Sequence, residues 1–309
     1  MDYLVGYTGF VGSNIYKSRK FDGVFNSKNY KEAFGKNPDL LIYSGIPAEK
    51  FLANKFPDKD LEIIEEAKKS IISIGAKKLV LISTVDVYKE PNGKDEDAVM
   101  ETEDLHAYGL NRLNLENWVL ENKHLHDQVL IVRLPGLYGR NLKKNFIYDL
   151  INIIPSMLNE AKYVEFGAES EQIKKFYILQ DNGFYKCMAT EKSDRDALKT
   201  QFLNIGFTAL NFTDSRASFQ FYNLENLCGH ILMALENDIE ILNIATEPVS
   251  TSDIYSLVND DRFNNTFEKP VPNYDFRTNY AGVFGGKDGY IFSKAHVLKD
   301  IKKYLEANR

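Results

Sequence analysis

Cysteine is scarce in this sequence. Among 309 residues only Cys187 and Cys228 occur, too few for a disulfide framework and at no metal-ligand spacing. Two reduced thiols in a cytoplasmic protein is the reading they support. Long apolar runs are missing as well, and none approaches the ~20 residues that a membrane-spanning helix needs. A strand pattern begins at once with Asp2-Tyr3-Leu4-Val5, which leaves no room for a signal peptide. There is no basic block and no acidic tail, and the net charge is −6. That balance argues against nucleic acid or an anionic membrane as the main partner. No internal repeat or low-complexity linker divides the chain.

What is present is core-forming material. Hydrophobic residues make up 44% and charged residues 27%, enough for one large α/β domain or a cofactor domain with a smaller partner. Short apolar runs bounded by turns alternate with helical patterns. Tyr3-Leu4-Val5, Gly23-Val24-Phe25-Asn26, Leu40–Tyr43, Leu79–Ile82 and Val129–Val132 read as strands. Val11 to Lys17, Asp58 to Ile74 and His106 to Glu121 read as helices. The strand runs lack strict alternation, as expected where helices cover both faces. The expected fold is therefore α/β, a doubly wound parallel (Rossmann) sheet with a smaller mixed C-terminal substrate lobe. Residues 1–140 would form the cofactor domain, with 201–245 returning to it. Residues 141–200 and 246–309 would form the substrate lobe. Asn145 to Leu158 looks helical, and regular structure is expected to resume with Phe202-Leu203-Asn204-Ile205.

Gly6-Tyr7-Thr8-Gly9-Phe10-Val11-Gly12 places G-x-x-G-x-x-G directly between the first strand and the first helix. In that context Gly6 permits a tight turn, Gly9 lets a pyrophosphate approach the backbone, and Gly12 lets the helix pack close to the strand. The phosphates then meet unpaired N–H groups at a helix N-terminus. Thr8, Phe10 and Val11 complete this candidate dinucleotide site. The second strand ends in Asn26-Ser27-Lys28, without the acid that would hold the adenosine ribose hydroxyls of NAD. Ser27 and Lys28 instead suit a 2′-phosphate. The expected cofactor is NAD(P), with a slight lean to NADP(H).

Ser83-Thr84-Val85-Asp86-Val87-Tyr88 follows the Leu79–Ile82 strand, and Tyr108-Gly109-Leu110-Asn111-Arg112 opens a helix. Tyr108 and Arg112, four apart, share one helix face. A hydroxyl at a strand end and a tyrosine–cation pair on the next helix would converge on the cofactor crevice. With these motifs the sequence resembles the extended short-chain dehydrogenases, the NAD-dependent epimerase/dehydratase family. Its glycine turn is similar to Gly6–Gly12, its S-S/T-x-x-V-Y segment to Ser83–Tyr88, its Y-G-x-x-K-L helix to Tyr108–Leu113, and its R-L-P-x-x-Y-G strand end to Arg133–Gly139. The resemblance covers about the first 140 residues and is faint beyond them, resting there on Phe219–Leu224 and the helix after it.

The resemblance implies that Tyr108 moves a proton during hydride transfer, Thr84 positions the substrate oxygen, and Arg112 holds the nicotinamide ribose and acidifies the tyrosine. It also implies cofactor contacts from Ser44 and Pro135. The substrate would be a sugar or nucleotide-sugar, and a homodimer is the candidate assembly. Three departures stand out. The motif lysine is Arg112, the asparagine of R-x-x-N-x-Y-G is Gly136, and the substrate-gripping arginine has no clean counterpart near Phe221, with Arg216 upstream as the nearest. A redox-state sensor or a non-catalytic partner subunit is the competing expectation. His124 and His126, and the acidic stretches Asp95-Glu96-Asp97 and Glu101-Thr102-Glu103-Asp104, read as solvated connections. The aromatics from Tyr163 to Tyr222 read as lobe core.

Overall fold

A computed structural model of the chain describes residues 1–308. In chain order the first half runs β1 (Asp2–Val5), α1 (Phe10–Ser18), β2 (Gly23–Phe25), β3 (Leu40–Tyr43), α2 (Lys50–Lys55), α3 (Pro57–Ile74), β4 (Lys78–Thr84), α4 (Ala107–Glu121), β5 (Gln128–Leu134) and β6 (Gly136–Tyr138). Then come α5 (Phe146–Ile151), β7 (Met157–Leu158), α6 (Glu160–Glu169), α7 (Glu171–Phe176), β8 (Tyr177–Leu179), β9 (Tyr185–Cys187) and α8 (Lys192–Ile205). The chain closes with β10 (Ser218–Phe219), β11 (Phe221–Asn223), α9 (Leu227–Glu236), β12 (Ile241–Asn243), β13 (Val249–Ser250), α10 (Thr251–Tyr255) and α11 (Lys294–Asn308). It divides into two compact units. The larger comprises residues 1–142, 218–249 and 273–300, and the smaller comprises 143–217, 250–272 and the described residues from 301 on.

The larger unit is built on six strands in the order β12-β5-β4-β3-β1-β2, every neighbouring pair parallel. This is the doubly wound α/β sheet. Alternate residues of each strand feed opposite faces. Leu4, Ile42, Val80, Leu130, Val132 and Leu242 pack with Ile15 of α1 and Leu227 and Ile231 of α9. Tyr3, Val5, Leu41, Leu79, Leu81 and Ile131 pack with Ile64, Ala67 and Ile71 of α3 and Leu115 and Val119 of α4. Both faces are buried, which is why the strands read as continuous apolar runs. Helix α3 starts with Pro57 in its first turn and stops at Gly75, whose φ of +70° suits the left-handed cap.

The strand order turns back between β1 and β3. That places a crevice beyond the carboxyl ends of these two strands, where open α/β sheets bind ligands.

The smaller unit carries a three-stranded antiparallel sheet, β7-β9-β8, and a core of Leu158, Phe166, Ile173, Tyr177, Leu198 and Phe202. Its aromatics pack on one another, with Tyr163 and Tyr185 stacked at 3.8 Å. Phe221 and Tyr222 lie instead in the larger unit.

Several boundaries differ from the sequence expectation. Phe202–Ile205 is the last turn of α8 and belongs to the smaller unit; Leu198 and Phe202 are buried four apart and Gly206 caps the helix at φ +73°. Residues 273–300 join the larger unit, because Ile291 N–H donates to Ala245 O (2.7 Å) and Asn243 Nδ2 to Arg277 O (2.9 Å). The helix expected through Leu158 ends at Ile151. Among the described residues no helix is long and apolar enough to cross a membrane.

Candidate active site

The three glycines of the first turn do different physical work. Gly6 has φ +93°, and a Cβ there would collide with the Ser44 carbonyl at the end of β3. A Cβ on Gly12 would collide with the Gly6 carbonyl, so helix and strand touch there through bare backbone. Gly9 is exposed, and a Cβ on it would meet only Gly6 O, at 3.3 Å. Gly9 is also the N-cap of α1; no side chain caps that end, and no acid lies in the first turn. The helix thus offers uncapped N–H groups and an unopposed dipole beside open space, which fits an anionic pyrophosphate.

Thr8 is exposed beside Gly9, while Phe10 and Val11 are half-buried and pack against the core. Asn14, one turn further along, donates to Arg140 O (2.9 Å) and accepts from Arg140 N–H (3.1 Å), which fixes α1 to the end of β6.

The remaining candidates line the same carboxyl edge. Pro135 follows β5, Thr84 ends β4, Ser44 follows β3, Gly6 follows β1, and Ser27 and Lys28 follow β2. Neighbouring strands lie about 4.8 Å apart, so the row from Pro135 to Lys28 spans roughly 19 Å. Ser27 and Lys28 are exposed, and no carboxylate ends β2. Thr84 sits above a buried network. Arg133 of β5 donates to Glu116 of α4 (2.7 Å) and to Tyr88 Oη (2.7 Å), and Ser83 hydrogen-bonds Glu116. The motif residues Ser83, Tyr88 and Arg133 therefore hold the strand ends in place.

Tyr108 and Thr84 come together: the Thr84 hydroxyl is close enough to the Tyr108 phenol to favour its ionisation. Burial dominates and pushes the phenol above its usual value; Arg112 pulls it down and Asp86 pushes it up. The Arg112 guanidinium lies 4.0 Å from the centre of the Tyr108 ring. It also donates to Asp60 of α3 and to Pro47 O (2.8 Å). Both partners of the Arg112–Asp60 ion pair are buried, their side chains 5% and 7% exposed. Asn111 adds a bond to Asp60 (2.8 Å). Arg112 stacks under the tyrosine, its Nη1 and Nη2 donating to the protein.

Four further residues belong to this cluster. Asn54 of α2 accepts from Tyr108 N–H (2.9 Å). Lys50 of α2 pairs with Asp86 (2.8 Å), and Tyr274 Oη reaches the same carboxylate at 3.5 Å. His106 caps α4 by accepting from Gly109 N–H (2.9 Å); burial, then the charge of Lys50, lowers its pKa. Local sequence pattern could not find Asn54, Lys50 and Tyr274, since their partners lie 54, 36 and 188 residues away along the chain.

The departures from the motifs have local causes. Gly136 pairs with Phe221 across β6–β11, and a Cβ there would press on Gln220 O at 2.9 Å and on the Phe221 ring at 3.1 Å. An asparagine does not fit this backbone. Arg216 lies in the smaller unit, bonded to Asp214 (2.7 Å) and Phe267 O (2.8 Å). The acidic stretch 95–97 is more than a solvated loop: Glu96 accepts from Asn243 N–H (2.8 Å), Thr278 Oγ1 (2.6 Å) and Asn279 N–H (2.8 Å). His126 is likewise engaged, its Nδ1 2.6 Å from Ala76 O.

No protein-family profile matches the chain, and no curated protein resembles it in sequence. Solved structures do resemble it along its whole length. A UDP-glucose 4-epimerase from Thermotoga maritima, determined with UDP-glucose, has 13% identity, a TM-score of 0.63, and coverage of 99% of this chain and 98% of the other. A dTDP-4-dehydrorhamnose reductase from Yersinia enterocolitica has 15% identity, a TM-score of 0.63, and coverage of 100% and 99%. The same kind of reductase from Bacillus anthracis, in complex with NADP, has 16% identity, a TM-score of 0.61, and coverage of 100% and 99%. At these identities the likeness establishes the fold.

Proposed function

We propose that this protein is an NAD(P)-dependent enzyme of the extended short-chain dehydrogenase kind, acting on a sugar or nucleotide-sugar by oxidoreduction, epimerisation or dehydration. The observation that carries the reading is the pairing of Thr84 with Tyr108 at the sheet edge that also presents the Gly9 helix end. The fold neighbours support it, since they include an epimerase solved with UDP-glucose and dTDP-4-dehydrorhamnose reductases, one solved with NADP.

In this reading Gly6, Thr8, Gly9 and Gly12 form the pyrophosphate cradle, with Ser44 and Pro135 beside it. The nicotinamide, when bound, supplies hydride acceptance or donation. Ser27 and Lys28 would face the adenosine ribose, which favours NADP(H). Thr84 orients the substrate oxygen by hydrogen bonding. Tyr108 moves the proton on that oxygen, which requires its pKa to fall from above 10 towards neutrality. Each unit of that fall corresponds to about 1.4 kcal/mol of differential stabilisation. Arg112 supplies part of it from beneath the ring, offset by Asp60. The smaller unit is the candidate for recognising the rest of the substrate.

A sensor or partner subunit is the second reading, favoured by the commitment of Arg112 to Asp60. One screen separates the two. Wild type and Tyr108→Phe are incubated with a panel of sugar nucleotides and either cofactor, following reduced-nicotinamide absorbance and product identity. The enzyme reading expects conversion by wild type alone. Identical profiles from both proteins would refute Tyr108 as the proton carrier.

A further inference from the structure

Helix α4 carries Tyr108 near its start, and its side chains tie it down in two directions. Asn111 and Arg112 bond to Asp60 of α3, and Arg112 also to Pro47 O. Glu116 ties the helix to the sheet. It lies eight residues beyond Tyr108, about 12 Å along the helix axis, and its side chain is fully buried. Its Oε2 accepts from Arg133 Nε (3.0 Å) and Nη2 (2.7 Å), while its Oε1 accepts from the Ser83 hydroxyl. Ser83 and Arg133 are register partners across β4 and β5, and the next residue of β4 is Thr84. One carboxylate thus receives both members of a cross-strand pair, directly below the strand end that presents Thr84. Arg133 is itself braced by Tyr88 Oη (2.7 Å), which receives Asn243 Nδ2 (3.0 Å). Nearer the start of α4, a Cβ on Gly109 would strike Asp86 O, so the helix bears on the turn after β4 through bare backbone. That contact limits how closely the helix approaches. It does not hold the helix in.

We infer that Glu116 is a positioning residue: by clamping α4 to the Ser83–Arg133 pair it sets the separation between Tyr108 and Thr84. The inference rests on the reading that these two side chains act together. A carboxylate suits the task, because its two oxygens have lone pairs for a guanidinium and a hydroxyl at once. Bonds to an ionised acceptor are also short and directional, so the clamp has little play. Shortening this side chain by one methylene keeps the charge but withdraws the carboxylate from partners held by the sheet, further than a hydrogen bond tolerates.

The test reads the phenol directly. 3,5-Difluorotyrosine placed at position 108 has a more acidic phenol and a single-site ¹⁹F signal, so it titrates while the protein is folded. Thr84→Val should raise the midpoint by roughly 0.7 pH unit, the worth of one hydrogen bond to the ionised phenol. In a Glu116→Asp background the same Thr84→Val substitution should raise it by about a third of that or less, because the two sites are coupled through the clamp. In Val119→Ala, which loosens the buried face of α4 and leaves the clamp intact, the shift should keep its wild-type size. A full-sized shift in Glu116→Asp would overturn the inference. So would an equal loss in Val119→Ala, which would make Glu116 no different from any core residue of the helix. Should Glu116→Asp not fold, Ser83→Ala removes one bond, leaves the ion pair, and decides by the same comparison. A protein in which Thr84→Val alone has no effect lacks the pair altogether, and both the inference and the observation behind the proposed function fall. No cofactor or substrate enters the titration. A protein that shows the full pattern yet converts no sugar nucleotide keeps the clamp and loses the enzyme reading.

Discussion

At the scale of single residues, the two glycines at the start of α1 make a controlled comparison. A Cβ at Gly9 would meet only the Gly6 carbonyl oxygen, at 3.3 Å, while one at Gly12 strikes the same carbonyl at 2.1 Å. Gly9→Asp should therefore fold with a melting temperature near wild type and lose nicotinamide-cofactor binding, because its carboxylate lies where a pyrophosphate would. Gly12→Ala should lose stability as well, since backbone must move to admit the methyl group. Calorimetric titration beside thermal denaturation checks both, and equal cofactor affinity in Gly9→Asp and wild type would mean the cradle is misassigned. Lys28, exposed after β2, should favour NADP(H) over NAD(H), and Lys28→Ala should narrow the gap by about tenfold, the worth of one charge-assisted hydrogen bond. Wild type binding NAD(H) more tightly is the adverse result. The glycines were legible in the sequence because their constraint is local. Asp60 and Lys50 were not, because they meet Arg112 and Asp86 across separations of 52 and 36 residues, and sequence spacing carries no trace of such pairings.

At the scale of elements, the strands of the larger unit were readable from apolar runs, because burial on both faces keeps their central positions apolar. The helices of the smaller unit were harder. Phe202–Ile205 has the composition of a strand, but its buried residues continue the helical spacing from Leu198. Helix α5 ends after six residues and carries an unusual group. Burial alone pushes the Asp149 carboxyl up to about 7. Between about pH 4 and pH 7 the unfolded chain gives up this proton while the folded chain keeps it, so folding stability falls as pH rises through that window and levels off above it. Asp149→Asn removes the titration while keeping the shape. It should stabilise the protein at pH 8 by on the order of 2 kcal/mol and leave stability near pH 4 unchanged. Denaturant unfolding at the two pH values measures this, and equal effects at both would contradict the assignment.

At the scale of the whole molecule, the larger unit is discontinuous in sequence. Its sixth strand, β12, pairs with β5 only after the chain has passed through most of the smaller unit. Leu242 and the α9 residues Leu227 and Ile231 complete one face of the core. A fragment comprising residues 1–142 therefore lacks a sheet edge and much of that face. It should aggregate or show non-cooperative melting, whereas the full chain melts cooperatively. A soluble fragment with a sharp transition would show that β12 and α9 are dispensable. The same discontinuity bears on synthesis. β5 ends at Leu134 and β12 begins at Ile241, so at translation speeds of ~5–20 residues per second the partner strand leaves the ribosome roughly 5–20 s later. Throughout that interval the emerging β5 presents unpaired N–H and C=O groups to whatever is nearby. The nascent protein should therefore depend on a holding chaperone more than its size suggests, and codons that slow passage through residues 143–217 should lower the yield of folded chains.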